Sequence, residues 1–175
     1  MKSYFAEQAL LPTGWARNVR MEISEGNFTS VKDGSPPSGC EVLAGPVLPG
    51  MANLHSHAFQ RGLRGRTETF PQGAGSFWSW RDLMYRFAAR LEPEHMQAIA
   101  QWLYIQMLKA GYTSVCEFHY LHHDRDGSPF ADPAEMAWRI VAAAAETGAG
   151  GLVSLRCEGR TYSLRPPASA SGPTA

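Results

Sequence analysis

Apolar and polar side chains alternate along "NVRMEIS" from Asn18 to Ser24, so that Val19, Met21 and Ile23 fall on one face of an extended chain. "EGN" at 25–27 offers a turn behind this strand, and "KDGSPPSG" at 32–39 reads as a polar loop. Residues 1–48 are therefore expected to form a small β domain, an incomplete β-sandwich. Downstream the period changes. In "SFWSWRDLMYRFAARL", Phe77, Trp80, Leu83, Met84, Phe87 and Leu91 recur at three- and four-residue steps, which predicts a helix with one apolar face. A second helix opens near Pro93, carries Met96, Ile99, Ala100, Leu103, Met107 and Ala110 as its stripe, and can close at a left-handed Gly111. "YTSVCEF" follows directly and reads as a strand by its β-branched and aromatic content. Asp132 as N-cap, Pro133 at the first helical position and Glu135 three after the cap predict a third helix through about Thr147.

Strand, helix, strand, helix in that order implies a parallel sheet with crossover helices, the α/β class. Strands are expected near 47–55, 112–118 and 150–155. Closing a (β/α)8 barrel takes roughly 200–250 residues, so the expected fold is a partial TIM-type barrel, its first two or three βα units over 49–150, preceded by the small β domain. The segment 151–175, "GLVSLRCEGRTYSLRPPASASGPTA", reads as a coil-like tail by its Arg, Pro, Ser and Ala content. Its abrupt composition suggests a change of reading frame close to Gly150.

Composition narrows the function classes. The chain has 16 Lys+Arg and 16 Asp+Glu, so no global field draws it to nucleic acid or an anionic membrane. At 44% hydrophobic and 18% charged residues a packed core is affordable and general disorder is not expected. No apolar run approaches the roughly 20 residues of a membrane span, and Glu7, Gln8 and Pro12 break the amino-terminal apolar stretch, so no signal peptide is read. Cys40, Cys116 and Cys157 are odd in number and without a C-x-x-C pair, which fits free thiols and a cytoplasmic location.

The candidate chemistry lies in "VLPGMANLHSHAFQ" at 47–60. Positions i and i+2 of a strand share a face, so His55 and His57 can direct two imidazoles into one space, a platform for a divalent ion. A polar strand end facing solvent is the plainer reading of such a pair. Its setting favours the metal, because it ends an apolar run entered through Pro49-Gly50, as at the catalytic edge of a barrel strand. "HYLHHD" clusters His119, His122, His123 and Asp124 in a loop after a strand, and is read as packing or pocket lining, not as a second metal site.

"VLPGMANLHSHAFQR" resembles the first-strand signature of the amidohydrolase superfamily, metal-dependent (β/α)8 barrels flanked by a small β domain. "LHSHAFQR", "FWSWRDLMYR", "MLKAGYTSVCEFHYLHHD" and "FADPAE", in that order, resemble the formimidoylglutamate deiminase family of bacterial histidine degradation, over about residues 4–150. The resemblance implies hydrolysis of N-formimino-L-glutamate to N-formyl-L-glutamate and ammonia with one divalent metal ion, commonly zinc. It implies His55 and His57 as metal ligands, and Gln60, Arg81 and Tyr120 as substrate contacts. A planar guanidinium suits a dicarboxylate substrate, with Gln and Tyr as neutral orienting groups. The family's remaining ligands, a His and an Asp, and its proton-transferring His and Glu come from later strands. This sequence has no His after His123 and no Asp after Asp132, so no catalytic residue is assigned in it and the isolated chain is expected to be inactive. The expected partner is the small-molecule substrate, with no nucleic acid and no membrane, and with a homo-oligomer left open for a full-length form. Two alternatives stay open, another amidohydrolase acting on a ring or guanidine-type substrate, and a non-catalytic binding fragment.

Overall fold

The structure is a computed structural model that describes residues 1–67 and 75–148, together with the backbone of 153–157 and 160–164. These residues form two compact units, Met1–Gly50 and the chain from Met51 onward.

The first unit is a single four-stranded sheet in the order β3-β2-β1-β4, with β1 at Lys2–Leu11, β2 at Gly14–Ser24, β3 at Asn27–Lys32 and β4 at Glu41–Val42. β1 and β2 pair antiparallel from Lys2↔Ile23 to Leu11↔Gly14, and the short β4 lies parallel to β1. Glu25 and Gly26 both have positive φ, 50° and 76°, the mirror-image turn that matches the twist of a hairpin. Alternation along β2 sends Val19 and Met21 inward, where they meet Ala6 and Ala9 of β1. Within the unit no second sheet covers this core among the described residues.

The second unit is built on a sheet ordered β5-β6-β7-β8, with β5 at Met51–Ser56, β6 at Tyr112–Glu117, β7 at Val153–Cys157 and β8 at Arg160–Leu164. β5, β6 and β7 run parallel. A 3-10 helix at Ala58–Leu63 and the helices α1 (Phe77–Ala88) and α2 (Pro93–Lys109) connect β5 to β6, and α3 (Glu135–Thr147) connects β6 to β7. β8 is antiparallel to β7, unlike the strands of an all-parallel barrel. The expectation of coil from residue 151 therefore does not hold at β7 and β8. Composition averaged over the tail hides two short runs, one with Val153 and Leu155 in alternation and one with adjoining Thr161 and Tyr162, which suit an extended chain. The rest of 151–175 lies outside the described residues.

The core of this unit gathers Phe59, Met96, Tyr104, Val115, Met136 and Ile140, with the alanines of α2 and α3 allowing the two helices to approach. Arg139 of α3 reaches Glu135 of its own helix at 2.8 Å and Glu94 of α2 at 3.0 Å, tying the helices at their edge. α3 starts later than the sequence implies. Asp132 Oδ1 accepts the Ala134 amide at 2.8 Å, so the side chain stabilises a turn ahead of the helix instead of capping it. α1 carries a Ser76/Ser79 capping box, and its apolar face is only half-buried, through Met84, Phe87 and Ala88, while Phe77 stays exposed. No helix of the described residues is long and apolar enough to cross a membrane.

Gly62 in the 3-10 helix sits against α1 and α2. A β-carbon there would stand 2.5 Å from the Phe87 ring and 3.2 Å from Ile99 Cδ1. Gly62→Ala is expected to cost about 1–3 kcal/mol in urea unfolding, because a packed ring has to move to admit one methyl.

Candidate active site

His55 is the penultimate residue of β5, and His57 lies just past the strand as N-cap of the 3-10 helix, still extended at φ −134° and ψ 80°. Both rings consequently leave the chain on one side, with Nε2 to Nε2 at 2.9 Å. His57 Nδ1 stands 2.9 Å from Phe118 O. A carbonyl only accepts, so Nδ1 carries the proton and donates, and the Nε2 lone pair faces His55. Two imidazole ligands of one tetrahedral zinc lie roughly 3.3 Å apart, given Zn–N distances near 2.0–2.1 Å. The donor set thus fits part of a divalent-metal site. Among the described residues no group of three or more His, Cys, Asp and Glu side chains gathers to complete it.

His57 also lines a cavity of about 530 Å³, and Gln60, Arg81 and Tyr120 share its wall. The four residues come from the end of β5, the 3-10 helix, α1 and the loop after β6. Phe59, Trp80 and Met84 supply apolar surface between them. Tyr120 adopts φ +60°, and Leu121 N donates to His119 O across it at 2.7 Å. This tight turn sets the Tyr120 ring 4.8 Å from the His57 ring. Non-glycine residues rarely take such a backbone, and it commonly marks a position fixed by function. The Arg81 guanidinium lies over Trp78 at 5.4 Å and Tyr85 at 5.2 Å and has no ion pair among the described residues. It is a cation steadied by aromatic faces with its donors left for an anion.

Of "HYLHHD", Tyr120 and Leu121 line this cavity, whereas His119, His122, His123 and Asp124 do not. His119 is buried, its Nδ1 without a hydrogen-bond partner, and its ring meets His122 at 4.7 Å. Burial, and secondarily the charge of His122, push its pKa down to about 4, so it is a neutral core residue. His123 and Asp124 face solvent. Glu117 is the residue that sequence reasoning missed. It is buried at the end of β6, with Oε1 accepting the Ala58 amide and the Ser56 hydroxyl near the carboxylate but outside good hydrogen-bond geometry to Oε2. Burial raises its pKa to about 6 against the opposing pull of the Ser56 hydroxyl and the Ala58 amide. The signal was available, since alternation along "YTSVCE" places Glu117 on the same face as the buried Val115.

Residues 47–168 match the sequence profile described as Amidohydrolase family. The chain belongs to the amidohydrolase family. Residues 1–44 of this amidohydrolase match the profile described as Formimidoylglutamate deiminase HutF, N-terminal domain. The larger match runs past Gly150, where the sequence suggested a break, so that point is no boundary of the family match. The formimidoylglutamate deiminase of Pseudomonas aeruginosa is 57% identical over 151 residues, which are 86% of this chain and 33% of that protein. The 5-methylthioadenosine/S-adenosylhomocysteine deaminase of Halalkalibacterium halodurans is 28% identical over 116 residues, 62% of this chain and 25% of that protein. The chain therefore spans about a third or less of the length of these curated relatives. Among solved structures, an amidohydrolase from Brucella melitensis superimposes with a TM-score of 0.80 at 50% identity over 87% of this chain and 34% of its own. An atrazine chlorohydrolase from Arthrobacter aurescens complexed with zinc gives a TM-score of 0.65 at 14% identity over 89% of this chain and 35% of its own, a likeness of fold alone.

Proposed function

We propose that this chain carries the first metal donors and one substrate wall of a formimidoylglutamate deiminase, built on the opening βα units of a (β/α)8 barrel, residues 49–150, behind the small β domain of 1–48. The reaction is hydrolysis of N-formimino-L-glutamate to N-formyl-L-glutamate and ammonia, in the cytoplasm and without nucleic-acid or membrane partners. The observation that carries the reading is the convergence of the His55 and His57 Nε2 atoms beside the cavity that Arg81, Gln60 and Tyr120 line. The 57% identity to a formimidoylglutamate deiminase supports the choice of substrate.

His55 and His57 would hold one divalent ion, commonly zinc, which when bound supplies a water ionised near neutral pH for attack on the amidine carbon. The protein's own residues account for recognition. His57 donates its Nδ1–H to Phe118 O and so turns the Nε2 lone pair toward His55, where an ion would be shared. Arg81 presents a planar fork to one substrate carboxylate, and its aromatic bed restricts the motion it would otherwise lose on binding. Gln60 and the Tyr120 hydroxyl orient the extended ligand, and Phe59, Trp80 and Met84 exclude water from its methylenes.

Titrating the zinc-loaded chain with the product N-formyl-L-glutamate, followed by backbone amide NMR, tests this. Shifts are expected at Gln60, Arg81 and Tyr120, and Arg81→Met is expected to weaken binding about tenfold or more, the loss of a hydrogen bond to a charged group. No shift at these residues, or equal affinity in the Arg81 variant, would refute the dicarboxylate site. A preference for guanine or another ring amidine would instead favour the alternative substrate class.

A further inference from the structure

Beyond residue 56 the ladder between β5 and β6 changes character. Ser56↔Glu117 is the last register pair, and Phe118 N donates to Ser56 O at 2.9 Å. From there two bonds of another kind take over. Phe118 O holds the His57 ring at Nδ1, and the Glu117 carboxylate holds the Ala58 amide at 2.6 Å. The dipeptide Glu117–Phe118 thus grips the dipeptide His57–Ala58, one bond to the imidazole and one to the backbone that follows it.

A buried carboxylate is an expensive way to satisfy one amide. The Ala58 amide opens the 3-10 helix, and the His57 side chain provides no cap for it. A hydroxyl or carbonyl could accept it without desolvating a charge, and apart from that amide the carboxylate has only the Ser56 hydroxyl to stabilise it. What the Glu117 side chain supplies is reach, an acceptor oxygen carried across the gap between strand ends, and its short bond fixes where the chain leaves His57. We propose that Glu117 is a positioning residue for the metal-ligand pair, holding the His57–Ala58 backbone so that the imidazole keeps both its bond to Phe118 O and its Nε2 directed at His55. This deepens the deiminase reading and rests on it only for the identity of the bound ion. Outer partners of metal-bound histidines typically change metal affinity by roughly 10–100-fold, and Glu117 acts one link further out, through the backbone.

The geometry is testable on the metal-free chain by long-range ¹H–¹⁵N NMR of the histidine rings and by amide exchange. The wild type should show His57 with its proton on Nδ1 and an Ala58 amide protected well beyond the amides of Arg64 and Arg66, which are bonded only within an exposed turn, to Arg61 O and Leu63 O. Glu117→Ala should release both, while Glu117→Gln, whose amide oxygen can still accept from Ala58, should retain them. With Co(II) as the probe ion, Glu117→Ala should bind about tenfold more weakly or worse, and Glu117→Gln should stay near the wild type. An unprotected Ala58 amide in the wild type overturns the proposal, as does a folded Glu117→Ala chain with unchanged His57 tautomer and Co(II) affinity. Should Glu117→Ala fail to fold, the wild-type exchange and the Gln variant decide by themselves. Absence of Co(II) contact at His55 and His57 in the wild type would overturn the deiminase reading, while the metal-free measurements would still judge the clamp.

Discussion

Truncating Tyr104 to alanine should cost about 3–5 kcal/mol of stability, whereas Tyr104→Phe should raise it by about 1 kcal/mol or more. Tyr104 is fully buried on the core stripe of α2, four residues beyond Ala100 and eight beyond Met96. Removing its ring leaves a cavity among Phe59, Val115 and Ile140 that helix packing can only partly close. The hydroxyl is a different matter. It has no hydrogen-bond partner, and burial, helped by the nearby Glu117 charge, pushes its pKa far above the usual phenol value. In the unfolded chain water satisfies that group, so folding strips it of a partner and returns none. Urea unfolding of the two variants separates the contributions. A Phe variant less stable than the wild type would show that the hydroxyl does have a partner.

The second large effect is a pH dependence in which two buried groups oppose one another. Glu117 has a folded pKa of about 6 against an ordinary 4.5, so the folded state holds the extra proton between those values. Its contribution to stability therefore grows by about 2 kcal/mol as pH falls from 6 to 4.5. His119 has a folded pKa of about 4 against an ordinary 6.5, so here the unfolded state takes the proton first. Its contribution is fully present above pH 6.5 and falls by about 3 kcal/mol as pH drops to 4. Between pH 6 and 4.5 the two slopes cancel. Glu117→Gln should expose the histidine slope, losing about 2 kcal/mol more than the wild type between pH 7 and 4.5. His119→Gln should show the reverse, becoming more stable over the same acid range. Parallel curves for wild type and Glu117→Gln would mean that Glu117 titrates as an exposed carboxylate does.

The sequence made the elements legible where period and burial agree. Val19 and Met21 point inward as alternation requires, and Met96 and Ala100 lie on the stripe that three- and four-residue steps define. The residues that line the cavity were named through motif resemblance, because spacing alone cannot join Gln60, Arg81 and Tyr120, which stand on separate elements. What escaped were polar groups on apolar faces. Tyr104 continues the α2 stripe and Glu117 continues the inward face of β6, and both are buried although each carries a polar atom. A polar residue in phase with a buried stripe is the signal to read in such cases. The later start of α3 has a similar origin, since an Asp-Pro pair can stabilise a turn as readily as a helix cap.

The two units also differ in how their chain is stitched together, and this bears on the order in which they acquire structure. β1, β2 and β3 join neighbours through tight hairpins, so their contacts close over short loops. The parallel pairing of β5 with β6 and the grip on His57 unite residues 61 apart in the chain. Nascent chain emerging from a ribosome can zip the first sheet at once, whereas the histidine platform must wait until β6 has been synthesised, which makes it the slower and more aggregation-exposed step of maturation.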